Sequence, residues 1–414
     1  MGRKKIYIGL DITNEYTQIC YKDSSMTSPK SFSTIIGGES FFIPTVLCNR
    51  YDNASWTYGT EAIKTVEDGE GFLVDNLLNK ALNKEDVEIG DDVYHAGDLL
   101  IYFTKKLVRL VSKNYELEDI VLGIVLRHID REIYDFFKSE FVKAGYSKEN
   151  IHITDYQEST FYFVVNQDKN IWSQKVILFD FLEGHFYLYE FNRYMFSGEK
   201  YFEVLEKDAD ELFGENASLD DEDLSYFDSL FSEVLVKVIG SDSVSGIYLT
   251  GGFNNNYWMR ESKRVLCKGR KAFVGESIFA LGACYFALCS NLSGGIYAGK
   301  HKLQGSIFLN SSDLKDGLQL CEIGRCIYEG VKEQDVIAID EYKISFQVYT
   351  VGKRVADTKE FEIQGAGHSP GFKTRLRISL DFIDEKNVVL HFKDLGFGDF
   401  SVSNLLEWQE EISF

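Results

Sequence analysis

The sequence predicts an α/β domain over residues 1–290, a linker at 291–305 and an all-β sandwich over 306–414. Three observations predict it. Apolar, β-branched runs alternate with helix-period segments up to about residue 290. From Asn291 the chain turns Gly-rich and polar (LSGGIYAGKHKLQGS), the composition of a domain boundary. Beyond that point, apolar and polar residues alternate strictly, as in half-buried antiparallel strands.

The elements follow in order. Ile6 to Asp11 and Thr17 to Tyr21 read as neighbouring strands. Asp98 to Ser112 puts Leu99, Tyr102, Phe103, Leu107, Leu110 and Val111 on one helical face, with Lys105, Lys106 and Arg109 off it. Ile120 to Leu126 is wholly apolar, as a strand covered on both faces should be. Asp130 to Ala144 reads as a helix burying Ile133, Phe136, Phe137, Phe141 and Val142. Val176 to Phe179 is a buried strand ending in Asp180. Residues 207–223 form an acidic, solvated loop ahead of an amphipathic helix, Ser225 to Ile239, and Gly246 to Thr250 is a further strand. In the C-terminal part, Tyr342 to Val348 alternates. Arg375 to Phe382 sets Leu376, Ile378, Leu380 and Phe382 on one face, and Asp384 to Asn387 turns it into Val388, Leu390 and Phe392.

Composition narrows the function classes. Lys plus Arg is 44 against 65 Asp plus Glu, a net charge of −21. Such a chain lacks the basic surface that general nucleic-acid binding or anionic membranes require. Its 44% hydrophobic content excludes disorder. The seven cysteines (Cys20, Cys48, Cys267, Cys284, Cys289, Cys321, Cys326) are odd in number, scattered and without CxxC or nearby His, so neither a disulfide framework nor zinc is expected. No signal-peptide core or spanning run is evident, and a cytoplasmic protein is the expectation.

Three strand ends carry the residues that could do chemistry: Asp11-Ile12-Thr13-Asn14, Asp180 to His185, and Thr250-Gly251-Gly252-Phe253. Carboxylates ending two strands can organise a metal-bound phosphate, and paired glycines let backbone approach a nucleotide. Taken singly, each is an ordinary turn. Their order resembles the DnaK-type heat-shock chaperones of the actin-like ATPase superfamily. IYIGLDITNEYT resembles the first phosphate loop, and LFDFLEGHF the second. YLTGGF is similar to the adenosine loop, and Glu276 to Ala283 to the closing helix. FFIPTVLC and YGTEAIK are similar to the two segments that follow the first loop, and YQEST stands where the family has Asn-Glu-Pro-Thr. KISFQVYTVGKRVADTKEFEIQGAG with RISLDFIDEKNVVLHFKD is similar to the peptide-binding sandwich.

The resemblance implies an actin-like ATPase fold with a shortened second lobe, then a peptide-binding sandwich without a helical lid. It implies nucleotide contacts from Asp11, Thr13, Asn14, Gly184, Gly251, Gly252 and Phe253. Asp11 and Asp180 would hold magnesium, Glu158 and Asp180 would be catalytic, and ATP or ADP with Mg would be the cofactor. Leu320, Glu322 and Ile323 would line a groove for an extended peptide, the implied partner being protein. The departures point elsewhere. Thr13 replaces the first loop's glycine, Asn14 and Glu15 its hydroxyls, and Glu183 adds charge to the second loop. No lysine stands near Asp75 or Asn76, Lys80 being one helical turn away. Only 251 − 180 = 71 positions separate Asp180 from Gly251, too few for the family's adenine-clamping subdomain. The expectation is therefore a chaperone-like peptide-binding module without efficient ATP hydrolysis. The alternative is an ATP-driven chaperone or ATPase with an abbreviated site. His185 reads as satisfied or exposed, and Phe161, Tyr162 and Phe163 as core.

Overall fold

A computed structural model describes residues 4–35, 40–196, 198–214, 219, 224–288, 295–311, 314, 317–330, 333–339, 342–364, 373–397 and 406–414. Contacts divide the chain into two units. One comprises Met1–Asn192 with Val204–Ser293, the other Arg193–Glu203 with Gly294–Phe414. No helix among the described residues is long and apolar enough to cross a membrane.

The first unit builds the same strand plan twice. Ile6–Ile12 forms a hairpin with Tyr16–Lys22 and pairs in parallel with Ile120–Leu126, which pairs in parallel with Ile151–Asp155. Lys175–Leu182 forms a hairpin with His185–Phe196 and pairs in parallel with Val244–Gly251, which pairs in parallel with Lys271–Val274. Ile120–Leu126 is buried at every position, so its sheet is covered on both faces. Local signals start its helices. Asp130 accepts the amide of Ile133 ahead of Arg131–Lys143, and Asp155 that of Glu158 ahead of Tyr156–Val165.

Close backbone packing locks the first sheet. Helix Ile278–Leu288 lies against Gly9 and Gly123, where a Cβ would overlap the carbonyl oxygens of Ala280 and Ala283. Gly282 of the same helix meets the backbone of Ser159. The second sheet instead rests on rings. Phe179, Phe186, Phe213, Phe227, Phe231 and Phe253 share one core with Trp258.

The predicted helix at 98–112 spans Ala96–Val111, and Ser225–Ile239 forms as expected. In Arg131–Lys143, Phe137 and Phe141 are buried, but Val142 is 40% exposed and Tyr134 takes its place in the core. A three-stranded sheet (Leu47–Arg50, Trp56–Tyr58, Gly71–Val74) and a hairpin (Asp86–Ile89, Asp92–His95) carried no clear sequence signal. Their strands are too short for periodicity to register. Of the acidic stretch, Asp210–Phe213 is one helical turn that buries Phe213, and residues 215–218 and 220–223 lie outside the described residues.

The second unit has two four-stranded antiparallel sheets. One runs Leu318–Cys321, Gly305–Leu309, Lys343–Thr350, Asp357–Glu362 in spatial order, and the other Gln334–Ile339, Lys373–Phe382, Asn387–Asp394, Glu407–Ser413. Their inner residues share one core, with Phe346 of one sheet 6.3 Å from Phe392 of the other. The predicted turn is held by Asp384, whose Oδ1 accepts the amides of Lys386 (2.7 Å) and Asn387 (2.8 Å). The linker expected at 291–305 is partly structured. Ile296–Tyr297 pairs with Tyr201 and Phe202, while residues 289–294, with Cys289, lie outside the described residues.

Candidate functional site

The site is built at corresponding ends of the two half-sheets. Asp11 and Asp180 each stand five residues after the first residue of their strands, Ile6–Ile12 and Lys175–Leu182, and each precedes a hairpin turn. In the first turn, the Thr13 amide donates to the Tyr16 carbonyl (2.9 Å) and the Tyr16 amide to Thr13 Oγ1 (3.1 Å). The Thr13 hydroxyl also donates to the Tyr16 carbonyl at 2.9 Å. Asn14 Oδ1 accepts the amide of Asn79, tying the turn to helix Leu77–Leu82. In this turn the Thr13 amide and hydroxyl and the Tyr16 amide are thus spent within the fold.

The second turn is two residues long. Leu182 pairs with His185, and Glu183 and Gly184 both have positive φ (+50° and +84°), the geometry of a tight type I′ hairpin. His185 Nδ1 lies 2.7 Å from Asp210 Oδ2, and Asp210 Oδ1 accepts the Phe186 amide, so this histidine is structurally engaged. Between the turns lies a cleft of about 360 Å³ lined by Glu15, Tyr16, Phe42, Glu183, Gly184 and Gly251, among others. No Lys or Arg is among its described lining residues.

Beneath the cleft lie the two strand-end carboxyls. Asp11 is 1% exposed and accepts the Tyr156 hydroxyl at 2.8 Å. Burial pushes its carboxyl up to about 8, against the pull of that hydrogen bond and with help from the charge of Asp180. Asp180 is 2% exposed, and burial lifts it to about 7, opposed by Arg127 and assisted by Glu206. Asp180 Oδ2 is buried with no hydrogen-bond partner among the described residues. Arg127, just past the strand Ile120–Leu126, pairs with Glu206 at 2.6 Å and lies 3.0 Å from the ring centroid of Tyr187. Tyr187 stands directly across the hairpin from Asp180. A guanidinium thus supplies the positive charge that a divalent ion would bring.

A hard divalent cation needs several charged oxygens, and here one oxygen of Asp11 is taken by the Tyr156 hydroxyl. Among the described residues no group of three or more His, Cys, Asp or Glu could hold a metal. A polyphosphate fits poorly too, since the cleft presents Glu15 and Glu183 where donors are needed.

The other expected site residues divide. Gly251, at φ +63°, is required because a Cβ would overlap the Phe181 carbonyl and Asp180, and one at Gly252 would meet the Phe181 ring. Both glycines line the cleft. Phe253 is fully buried among Phe179, Phe227 and Phe231, so its ring belongs to the core and not to a ligand. Glu158 is buried and accepts the Thr154 hydroxyl at 2.9 Å. Lys80 is held by Asp75 through its carbonyl (2.8 Å) and carboxylate (3.0 Å). In the second unit, Leu320 is 4% exposed inside the core, which corrects the expectation that it lines a groove. Glu322 is exposed, and the Ile323 amide donates to Ser306 Oγ. All three lie at or just beyond an edge strand, Leu318–Cys321, where alternation turns Leu320 inward.

Sequence reasoning passed over Arg127, Tyr156 and Tyr16. Arg127 had a usable signal, a lone cation closing an otherwise apolar strand. Tyr156 and Tyr16 sit in quoted motifs, but nothing in their spacing marks the Tyr156 phenol as the partner of a carboxyl or Tyr16 as lining the cleft.

No curated protein matches the chain. Residues 300–414 match a domain of unknown function, DUF8552. Residues 28–298, well over half of the chain, match the "Family of unknown function (DUF5716) C-terminal", and the chain belongs to that family.

Proposed function

We propose that this protein is a chaperone-like polypeptide-binding module on an actin-like scaffold whose nucleotide site has been given up. Support for the scaffold comes from the repeated strand plan, with Asp11 and Asp180 at equivalent positions. Support for a lost nucleotide site comes from one observation above all. The turns after those two residues close upon themselves, and the cleft between them carries Glu15 and Glu183 without a lysine or arginine. Binding of polypeptide by the second unit rests on its two facing antiparallel sheets, which offer open edge strands such as Leu318–Cys321 for backbone pairing.

The competing reading, an active ATPase, draws on the unpartnered Asp180 Oδ2, which could take a water or cation. The two separate in one set of assays on the full chain. Fluorescence anisotropy with a labelled, permanently unfolded polypeptide should show saturable binding unaffected by MgATP, and phosphate release should match the buffer blank. Phosphate release abolished by Asp180→Asn would establish the ATPase instead. Absence of polypeptide binding would remove the proposed function.

A further inference from the structure

We propose that a basic, tyrosine-lined cleft in the first unit, remote in sequence from both strand-end turns, docks an acidic segment of a partner protein through an apolar side chain. Three cations crowd the C-terminal half of helix Ala96–Val111: Lys105, Lys106 and Arg109. They line a cleft of about 530 Å³ together with Tyr102, Tyr115 and Tyr146. That volume is in the range of small-ligand sites.

The chain has 21 more acidic than basic residues, so three cations lining one cleft stand out against it. Among the described residues, none of the three has a carboxylate within ion-pair distance. Lys106 Nζ lies 4.9 Å from the ring centroid of Tyr102. Arg109 donates only to the carbonyls of Ser112 (3.4 Å) and Tyr115 (3.3 Å). Arg109 thereby finishes the helix, but Lys105 and Lys106 have no such task.

The floor of the cleft is apolar. Val108, Leu117 and Ile120 contribute to it, and Tyr146 lines it while only 5% exposed. The Tyr146 hydroxyl makes no hydrogen bond to a described residue. Glu116 is the one acid among its described lining residues, and Asp23 accepts the hydroxyl of Tyr115 at 3.3 Å.

Charge and shape select the occupant. Lys105 and Arg109 are one helical turn apart, about 6 Å along the axis, so a ligand with one carboxylate would neutralise only part of the patch. Several carboxylates beside an aromatic or large aliphatic side chain answer both cations and floor. A nucleic acid would extend past the cleft onto a surface of net negative charge and be repelled. This inference does not depend on the proposed loss of the nucleotide site or on the second unit.

The test is fluorescence anisotropy on the full chain with three labelled dodecapeptides. One consists of Asp and Glu with a Phe and a Leu at its centre, one has Lys for every acid, and one keeps the acids but has Ser for Phe and Leu. The first should bind saturably, and binding should weaken as salt rises. In the Lys105→Glu, Lys106→Glu double variant it should bind about tenfold more weakly. Both positions are exposed, so the variant should keep the wild-type thermal midpoint. The Lys and Ser peptides should bind at least about tenfold more weakly than the first. Absence of binding at 1 mM acidic peptide, equal binding by the double variant, or equal binding of the Ser peptide would each overturn the proposal.

Discussion

The two halves of the first unit share a strand plan and differ at its most sensitive point. In the first half, Asp11 sits under a sheet locked by helix Ile278–Leu288 and has a dedicated donor in Tyr156, itself stacked on Phe279 at 3.7 Å. In the second half, Asp180 lies in a sheet packed on phenylalanines, keeps one oxygen without a partner and is answered from a distance by Arg127. One topology thus carries two solutions to a buried carboxyl, a local hydrogen bond and a remote cation. Strand order fixes where a carboxyl stands, and neighbouring side chains decide whether it is charged.

The largest effect should come from breaking the packing that locks the first half. Gly123→Val would drive a side chain into the Ala283 carbonyl, and urea unfolding should show a loss of about 4 kcal/mol or more. Gly252→Ala in the second half meets the Phe181 ring and the Leu219 side chain, both of which can move, and should cost no more than about 2 kcal/mol.

Next comes the cation. Arg127→Met leaves Glu206 without its partner and Asp180 without its opposing charge, and should cost about 3 kcal/mol. Adding Asp180→Asn to that variant should restore part of the loss at pH 8.

The carboxyls themselves should give a pH dependence of opposite sign to the usual paired aspartate. Both are raised in the folded state, so their contribution is fully present near pH 4. It is lost as pH rises through about 7 for Asp180 and about 8 for Asp11. Asp11→Asn should therefore stabilise the protein at pH 9 by about 2 kcal/mol and change little at pH 4. Asp180→Asn should show the same sign with a smaller gain. Thermal midpoints across pH 4–9 would check both, and a wild-type stability that rises with pH over that range would contradict the assignment. The smallest effect belongs to Lys80→Met, which loses a surface pair and a carbonyl hydrogen bond to Asp75 and should shift stability by less than about 1 kcal/mol.

Much of this architecture was legible because its signals are local and repetitive. The apolar run Ile120 to Leu126, the helix Ser225–Ile239 and the Asp384 turn each follow from a short stretch of sequence. Asp11, Asp180 and the Gly251-Gly252 pair were legible as strand ends. What stayed hidden depends on contacts distant in sequence. Arg127 acquires meaning only when Tyr187 and Glu206 come under it, and Tyr156 only when its hydroxyl meets Asp11, 145 positions away. Phe253 and Leu320 were misassigned for the same reason. A motif or an alignment of strands places a residue at an edge, but the packing partner decides which way its side chain turns.

The central claim is that the cleft between the strand-end turns of the two halves has gathered acids without a described lysine or arginine, so that no nucleotide is held there. Thermal unfolding of the full chain with and without 5 mM ATP and magnesium tests it most directly. An unchanged midpoint is predicted. A saturable rise, approaching the about 2.7 kcal/mol expected at a hundred times the dissociation constant and abolished by Asp11→Asn, would contradict it.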